Sequence, residues 1–192
     1  MSNQSTKNKI KTAFQELTVQ SSLSKVKVAD IIAKAGISRM TFYRHYLDKY
    51  DLVEKICFDD FSLFEKHYGN NATWKQVVMS ILNVVYSYGE FYQKVLEDEE
   101  GQQRFFEAQR NISKRYTGEF ADRAMNVAWT GTLVRWAENG FQETPEEIYQ
   151  NLVFNLPVRE VLSNQKLDQA IKKYESKTME EFMTPEKKES QT

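Results

Sequence analysis

A short stretch of the chain, residues 38–45, holds the side chains best suited to binding a polyanion. Hydroxyl, guanidinium, phenol and imidazole groups follow one another there, on Ser38, Arg39, Thr41, Tyr43, Arg44 and His45. Such groups bond to phosphate oxygens, which set the register on a duplex, and to base edges, which supply sequence choice. Lys49 lies near the start of the next predicted helix, whose positive end would assist a phosphate contact. The chemistry favoured by this stretch is nucleic-acid binding.

The neighbouring residues predict a helix-turn-helix that would present these groups. Apolar residues at helical spacing predict a helix from Val28 to Ala35, and Gly36 marks its end. Ser38 is a suitable N-cap for a short second helix running to about Tyr46. Inward-facing side chains are expected at Ile31, Ile32, Ile37 and Phe42. A helix pair of this kind places its second helix in the major groove.

Enzyme chemistry has little support in the sequence. We find no glycine-rich phosphate loop, no G-x-S-x-G motif and no cluster of metal-ligand residues. With only His45, His67 and Cys57, a transition-metal site is not expected, and Cys57 is interpreted as a buried small hydrophobe. The adjacent acids Asp59 and Asp60 and the acidic run 97–100 are interpreted as charged surface. We therefore predict no catalytic residue, metal or cofactor.

The charge is unevenly distributed along the chain. Residues 1–56 carry ten Lys and Arg against five acids, a net charge of +5, whereas the remainder carries 16 bases and 22 acids, a net charge of −6. The polar N-terminus lacks the apolar stretch of a signal peptide, and no apolar run approaches bilayer length. We expect a cytoplasmic protein in which only the N-terminal part meets a polyanion.

The rest of the chain is predicted to be entirely helical. The expected organisation is a DNA-binding domain at residues 1–56, a helical domain at 57–183 and a disordered tail at 184–192, with residues 48–68 forming one joining helix. Of 25 aromatic residues, 20 lie beyond residue 56. They could line a pocket for a small-molecule effector, with plain core packing the alternative for each. The candidate pocket residues are Trp74, Tyr88, Phe91, Phe105, Phe106, Gln109 and Trp129.

The run of residues 28–52, VADIIAKAGISRMTFYRHYLDKYDL, resembles the signature of TetR-type (TetR/AcrR) transcriptional regulators. The resemblance covers residues 10–56 and implies a recognition helix at residues 38–46, with Tyr43 and Lys49 on the phosphate backbone. Lys27 stands where the family usually has threonine, Met40 where a small residue is common, and Tyr50 where an acid is usual. The full expected set of DNA contacts is Lys27, Ser38, Arg39, Met40, Thr41, Tyr43, Arg44, His45 and Lys49.

The same resemblance implies a homodimer built by two long helices, here residues 121–139 and 146–156. A track of small residues in the first of them would permit close approach of a second copy. The expected interface residues are Ala121, Ala124, Ala128, Gly131, Ile148 and Leu152.

Two functions remain open from the sequence. The first is a repressor that binds operator DNA and whose DNA affinity is modulated by a small-molecule effector. The second is a DNA-binding protein of the same fold that is controlled by a protein partner or acts at the nucleoid, without a small ligand.

Overall fold

The computed structural model describes residues 3–69, 72–113 and 119–154, together with Lys172 and Ser176. The elements in this part of the chain are all helical, so the predicted all-α fold is confirmed. They are α1 (Asn3–Gln20), a 3-10 turn (Leu23–Lys25), α2 (Val28–Ala35), α3 (Arg39–Tyr43), α4 (Lys49–Phe61), α5 (Leu63–Tyr68), α6 (Trp74–Ser87), α7 (Gly89–Leu96), α8 (Glu99–Ser113), α9 (Glu119–Glu138) and α10 (Pro145–Phe154).

Local start and stop signals in the sequence fix several helix ends. Gly36 ends α2 in the left-handed region, at φ 63° and ψ 42°, which glycine adopts without steric cost. Asp48 begins α4, because its carboxylate accepts hydrogen bonds from the backbone N–H groups of Tyr50 and Asp51, each at 2.8 Å. At the start of α10, Thr144 and Glu147 form the reciprocal bonds of a capping box. The sequence predicts the end at Gly36 and the start at residue 48, and the Thr-Pro-Glu-Glu run at 144–147 has the pattern of a helix start.

The joining helix predicted over residues 48–68 is two segments that meet at Ser62. The Ser62 hydroxyl donates to the carbonyl of Phe58 at 2.7 Å, and the Glu65 N–H donates to the Ser62 carbonyl at 3.1 Å, three residues back. A serine that bonds to the preceding turn bends a helix. Helix α4 therefore ends at Phe61, and α5 starts at Leu63 as a separate helix.

The first turn of α8 packs against the 3-10 turn through Gly101. The sequence also predicts a solvated turn at residues 97–101, around the acidic run, yet Gly101 is buried and lies inside α8. A Cβ at Gly101 would lie 2.5 Å from Leu23 Cδ2 and 2.6 Å from the Val95 carbonyl oxygen. Only glycine permits this approach, so the prediction was wrong at this residue: α8 packs onto the 3-10 turn.

One continuous core joins the N-terminal helices to the rest of the protein. Helix α1 packs on α2 and α7, and α4 packs along α8. The ring of Phe14 on α1 meets that of Phe91 on α7 edge to face, with centroids 5.8 Å apart. The domain boundary predicted after residue 56 falls within α4. The predicted tail, residues 184–192, lies outside the described residues.

Across residues 3–69, 72–113 and 119–154, every helix is too short or too polar to cross a bilayer.

Candidate nucleic-acid interface

Helices α2 and α3 form the predicted pair around Gly36. Their inner surface is apolar: Ile31 and Phe42 are fully buried, and Ala35 is nearly so. The Ser38 hydroxyl accepts the backbone N–H of Thr41 at 3.1 Å and so begins α3. Helix α3 ends at Tyr43, earlier than the predicted end near Tyr46, since Arg44 and His45 form a turn. The buried side of this pair fixes which side chains point outward.

The outward side of α3 and of the turn that follows it combines basic side chains with exposed apolar ones. Arg39 and Arg44 are exposed, and the Arg39 guanidinium lies 5.5 Å from the centre of the Tyr43 ring. Met40 is 81% exposed and Tyr43 is 44% exposed. Leu47, which is not among the predicted contacts, is 77% exposed four residues after Tyr43. An exposed apolar side chain among arginines suits contact with the thymine methyl group or a sugar.

Helix α4 holds the end of this surface in place. Lys55 Nζ donates to the His45 carbonyl at 3.0 Å and pairs with Asp51 Oδ2 at 2.8 Å. The same carboxylate accepts the Leu47 N–H at 2.8 Å. Sequence reasoning missed Asp51 and Lys55, although their separation of four residues on one helix was a readable signal.

Lys49 has a structural role beside its predicted phosphate contact. Its Nζ donates to the carbonyl oxygens of Leu23, Ser24 and Val26 at 2.8, 2.9 and 3.2 Å. An ammonium group has three N–H donors, and these carbonyls engage all of them. Lys49 therefore ties the start of α4 to the 3-10 turn, and the engagement of all three donors argues against its predicted phosphate contact.

His45 is half-buried, and its pKa lies below the ordinary histidine value. Burial is the largest cause, followed by the positive charges of Arg44, Lys7 and Lys55. The Nε2 atom is buried and has no hydrogen-bond partner among the described residues. At neutral pH, burial and these charges therefore favour the neutral imidazole of His45 in the free protein.

The other predicted contact residues are accessible. Lys27 is exposed at the N-cap of α2, where its backbone N–H donates to Asp30 Oδ2 at 3.3 Å. The hydroxyls of Ser38 and Thr41 lie 2.9 Å apart and share a hydrogen bond. The nine predicted contacts thus lie between the N-cap of α2 and the first residue of α4, with Lys49 engaged by backbone carbonyls.

A buried polar group links this N-terminal region to the rest of the protein. Asp60 on α4 is only 5% exposed, so its interpretation as charged surface was wrong. One carboxylate oxygen forms an ion pair with Lys11 of α1, and the other accepts the Tyr92 hydroxyl of α7 at 2.8 Å. Cys57, one turn earlier, is fully buried as predicted, and burial raises the pKa of its thiol. We call Lys11, Asp60 and Tyr92 the latch.

The predicted pocket residues are spread over several environments. Phe105 is fully buried, with its ring centroid 5.1 Å from that of Phe61. Trp129 and Gln109 are buried, whereas Trp74 and Phe106 are partly buried against the core. Tyr88 and Phe91 line a cleft of about 740 Å³ beside α1. Of the predicted set, only these two residues line that cleft.

The predicted dimer residues also differ in accessibility. Ile148 is 4% exposed within the single chain, because α10 packs on α6 and α9. Its assignment to a dimer surface is therefore corrected: it belongs to the core. Gly131 is exposed, with no atom within 4 Å of a Cβ built there, and Leu152 is partly buried. The backbones of residues 121, 124 and 128 lie in α9, but the side chains of Ala121, Ala124 and Ala128 lie outside the described part.

Among the described residues, no group of three or more His, Cys, Asp or Glu side chains is placed to hold a metal ion.

The sequence model of the family described as "Bacterial regulatory proteins, tetR family" matches residues 13–56, which contain this interface. One curated relative, the HTH-type dhaKLM operon transcriptional activator DhaS of Lactococcus lactis subsp. lactis (strain IL1403), is 26% identical over 97 residues. That alignment covers 50% of this chain and 52% of the relative, so it spans about half the length of each.

Two solved structures share the fold. A dihydroxyacetone kinase operon activator, DhaS, is similar with a TM-score of 0.58 and 19% identity, over 89% of this chain and 98% of that one. A TetR transcriptional regulator from Streptococcus agalactiae 2603V gives a TM-score of 0.54 and 24% identity, over 78% of this chain and 92% of that one. The relatives are described as transcriptional regulators, not as enzymes. The family match covers the helix-turn-helix segment, residues 13–56, and the similarity to the two solved structures shows that the fold is shared.

Proposed function

We propose that this protein is a sequence-specific DNA-binding transcription regulator that inserts α3 into the major groove of operator DNA. The observation that carries the proposal is the outward surface of α3. Arg39, Met40, Tyr43 and Arg44 are exposed together, while Lys55 and Asp51 fix the turn that follows. Arginine can bond two acceptors of guanine, and tyrosine and lysine hold the phosphate backbone. Rigid support from α4 lowers the entropy lost on binding.

The proposal includes a homodimer. One helix-turn-helix reads few base pairs, and two such units related by two-fold symmetry read half-sites about 34 Å apart. Helices α9 and α10 are the proposed dimer elements. Of the predicted interface residues whose side chains the structure describes, Gly131 is exposed and Leu152 is partly exposed. An exposed glycine within a helix lets a second helix approach closely.

We further propose that a small-molecule effector modulates the affinity for DNA. An effector acts only through different affinities for two arrangements of the protein, and such coupling is about 1–3 kcal/mol, or about 5–150-fold in DNA affinity. The latch offers a route between the two parts of the chain, since Asp60 contacts Lys11 of α1 and Tyr92 of α7.

The DNA proposal is tested with an operator selected from a random oligonucleotide library. Tyr43→Ala and Arg44→Ala should each weaken binding to it by about 5–150-fold. Tyr68→Ala is the matched control, because Tyr68 on α5 has the same 44% exposure as Tyr43. Thermal unfolding should be nearly unchanged in all three variants. Unaltered binding by both Tyr43→Ala and Arg44→Ala would refute the assignment of α3.

The direction of regulation requires a separate measurement. The sequence favours a repressor, whereas the curated relative is named an activator. We propose repression, and a cytoplasmic reporter gene placed under the selected operator tests it. Lower reporter output with the wild-type protein than with Arg44→Ala supports repression, and higher output assigns activation.

A further inference from the structure

The cleft of about 740 Å³ lies between the N-terminal region and the rest of the protein. One wall is a face of α1 that includes Glu16. The other wall is the corner where α6 passes into α7, with Tyr86, Tyr88 and Glu90, and Phe141 also lines the cleft. Its volume is in the range of small-molecule sites, about 300–1,000 Å³.

The lining combines aromatic rings with negative charge. Tyr86, Tyr88, Phe91 and Phe141 contribute four rings, and two of them are well exposed, Tyr86 at 44% and Tyr88 at 48%. Glu16 and Glu90 contribute carboxylates, and none of the described lining residues is lysine or arginine. Glu16 is paired with Lys34 at 2.8 Å, whereas Glu90 forms no ion pair within the described part of the chain. Aromatic faces and carboxylates both attract cations.

The rings are held in place from behind. Tyr86 stacks on Trp136, with centroids 5.9 Å apart and planes inclined by 11°. The ring of Phe141 packs edge to face on Trp136 at 5.0 Å and would lie 3.1 Å from a Cβ at Gly89. The absence of a side chain at Gly89 therefore leaves room for the Phe141 ring in the wall of the cleft. Because these rings are already fixed, a ligand that contacts them would lose little entropy in ordering the side chains.

We propose that this cleft binds an organic cation with an aromatic body, and that its occupancy alters the affinity for DNA; the second part rests on the proposed function. Such a guest would contact α1 and the α6–α7 corner at once. It would therefore bind best when these walls have the separation seen here, and it would favour that arrangement. Tyr88 is also the ring over which Lys11 of the latch lies, at 5.7 Å.

The site is tested first without DNA, by isothermal titration calorimetry. Tetraphenylphosphonium is the probe, and tetraphenylborate is its match in shape with the opposite charge. Tetraphenylphosphonium should bind at least tenfold more tightly. Tyr88→Ala should weaken its binding by about 5–30-fold, and Glu90→Gln by about 2–5-fold. The matched controls Tyr68→Ala and Glu99→Gln should bind as wild type, since both residues are exposed outside the cleft.

Equal affinity for the two probes would overturn the proposed ligand class. Loss of affinity in Tyr68→Ala as large as that in Tyr88→Ala, or none in either, would overturn the proposed location. A circular-dichroism melt shows that each variant is folded before titration. Since no DNA is present, these outcomes are independent of the proposed regulatory function.

Operator binding is then measured with and without tetraphenylphosphonium. The wild-type affinity should change by at least fivefold and that of Tyr88→Ala by less than twofold. Probe binding without any change in DNA affinity would overturn the regulatory part of the inference and leave the site standing. Failure of the protein to bind any selected DNA would instead reject the proposed function.

Discussion

The Tyr92 hydroxyl gives the sharpest test of the latch. Tyr92 is fully buried and donates to Asp60 Oδ2 at 2.8 Å, while Lys11 occupies the other carboxylate oxygen. In Tyr92→Phe the ring remains in its cluster, with the ring of Phe105 5.7 Å away. The substitution therefore removes one hydrogen bond to a charged acceptor and leaves a buried carboxylate oxygen without a donor. Such a loss costs about 1.5–3 kcal/mol.

The assay is urea unfolding at fixed protein concentration, since association would contribute to the apparent stability. Tyr88→Phe is the matched control, because Tyr88 is 48% exposed and lies four residues away on the chain. We expect the control to stay within about 0.5 kcal/mol of wild type. For a chain of this size, Tyr92→Phe should also lower the melting temperature by about 3–12 °C. The slope of the urea transition should not change.

A Tyr92→Phe protein as stable as Tyr88→Phe would refute the reasoning. It would mean that the Asp60 carboxylate has no need of the Tyr92 donor, and that Lys11 alone compensates its burial. Asp60→Asn separates the two contributions, because it keeps the shape of the side chain and removes the charge that pairs with Lys11. A loss larger than that of Tyr92→Phe is expected.

Three further predictions concern Lys49, the proposed dimer and the loss of stability at high pH. Lys49→Met should lower the free energy of unfolding by about 2 kcal/mol and leave the salt dependence of DNA binding unchanged. If stability were unaltered and the slope of log binding constant against log salt concentration fell by about 1, Lys49 would instead be assigned to a phosphate contact. Gly131→Asp should sediment as a monomer, whereas Gly131→Ala should remain a dimer and gain about 0.5–1 kcal/mol of helix stability; a dimeric Gly131→Asp would reject α9 as the interface. Burial raises the pKa of Tyr46 to about 12, so its contribution to stability is complete below pH ~10 and is lost as the pH rises from ~10 to ~12. Tyr46→Phe should therefore lose less stability than wild type across that window, and parallel curves would contradict this.

The helix ends were the most predictable part of the fold. The caps at Ser38, Asp48 and Thr144 depend on hydrogen bonds between residues two or three positions apart, so the sequence contains the whole signal. The helix-turn-helix was predictable for a similar reason, because Gly36 and the apolar spacing of α2 are local. The exposed groups on α3 then followed from the helical period.

The contacts that join distant elements could not be predicted. Lys11 and Asp60 are 49 residues apart, and Lys49 reaches the Leu23 carbonyl 26 residues earlier. Adjacent aspartates in a sequence resemble solvated surface, and nothing local shows that α1 and α7 enclose one of them. The wrong assignment of Ile148 has the same cause. Helical spacing shows that Ile148 lies on an apolar face, but not whether that face packs against its own chain or against a second copy.

The packing of α8 on the 3-10 turn has a consequence for recombination between regulators. Leu23 lies against Gly101, and Phe14 lies against Phe91, so residues 1–56 are not a detachable module. In a chimera that joins this N-terminal part to a body with any larger residue at the position of Gly101, the added Cβ would lie against Leu23. The two would clash, and the outward surface of α3 would shift relative to the rest of the protein. Grafts that change operator choice should therefore exchange the outward side chains of α3 alone, or carry α7 and the first turn of α8 along with the N-terminal helices.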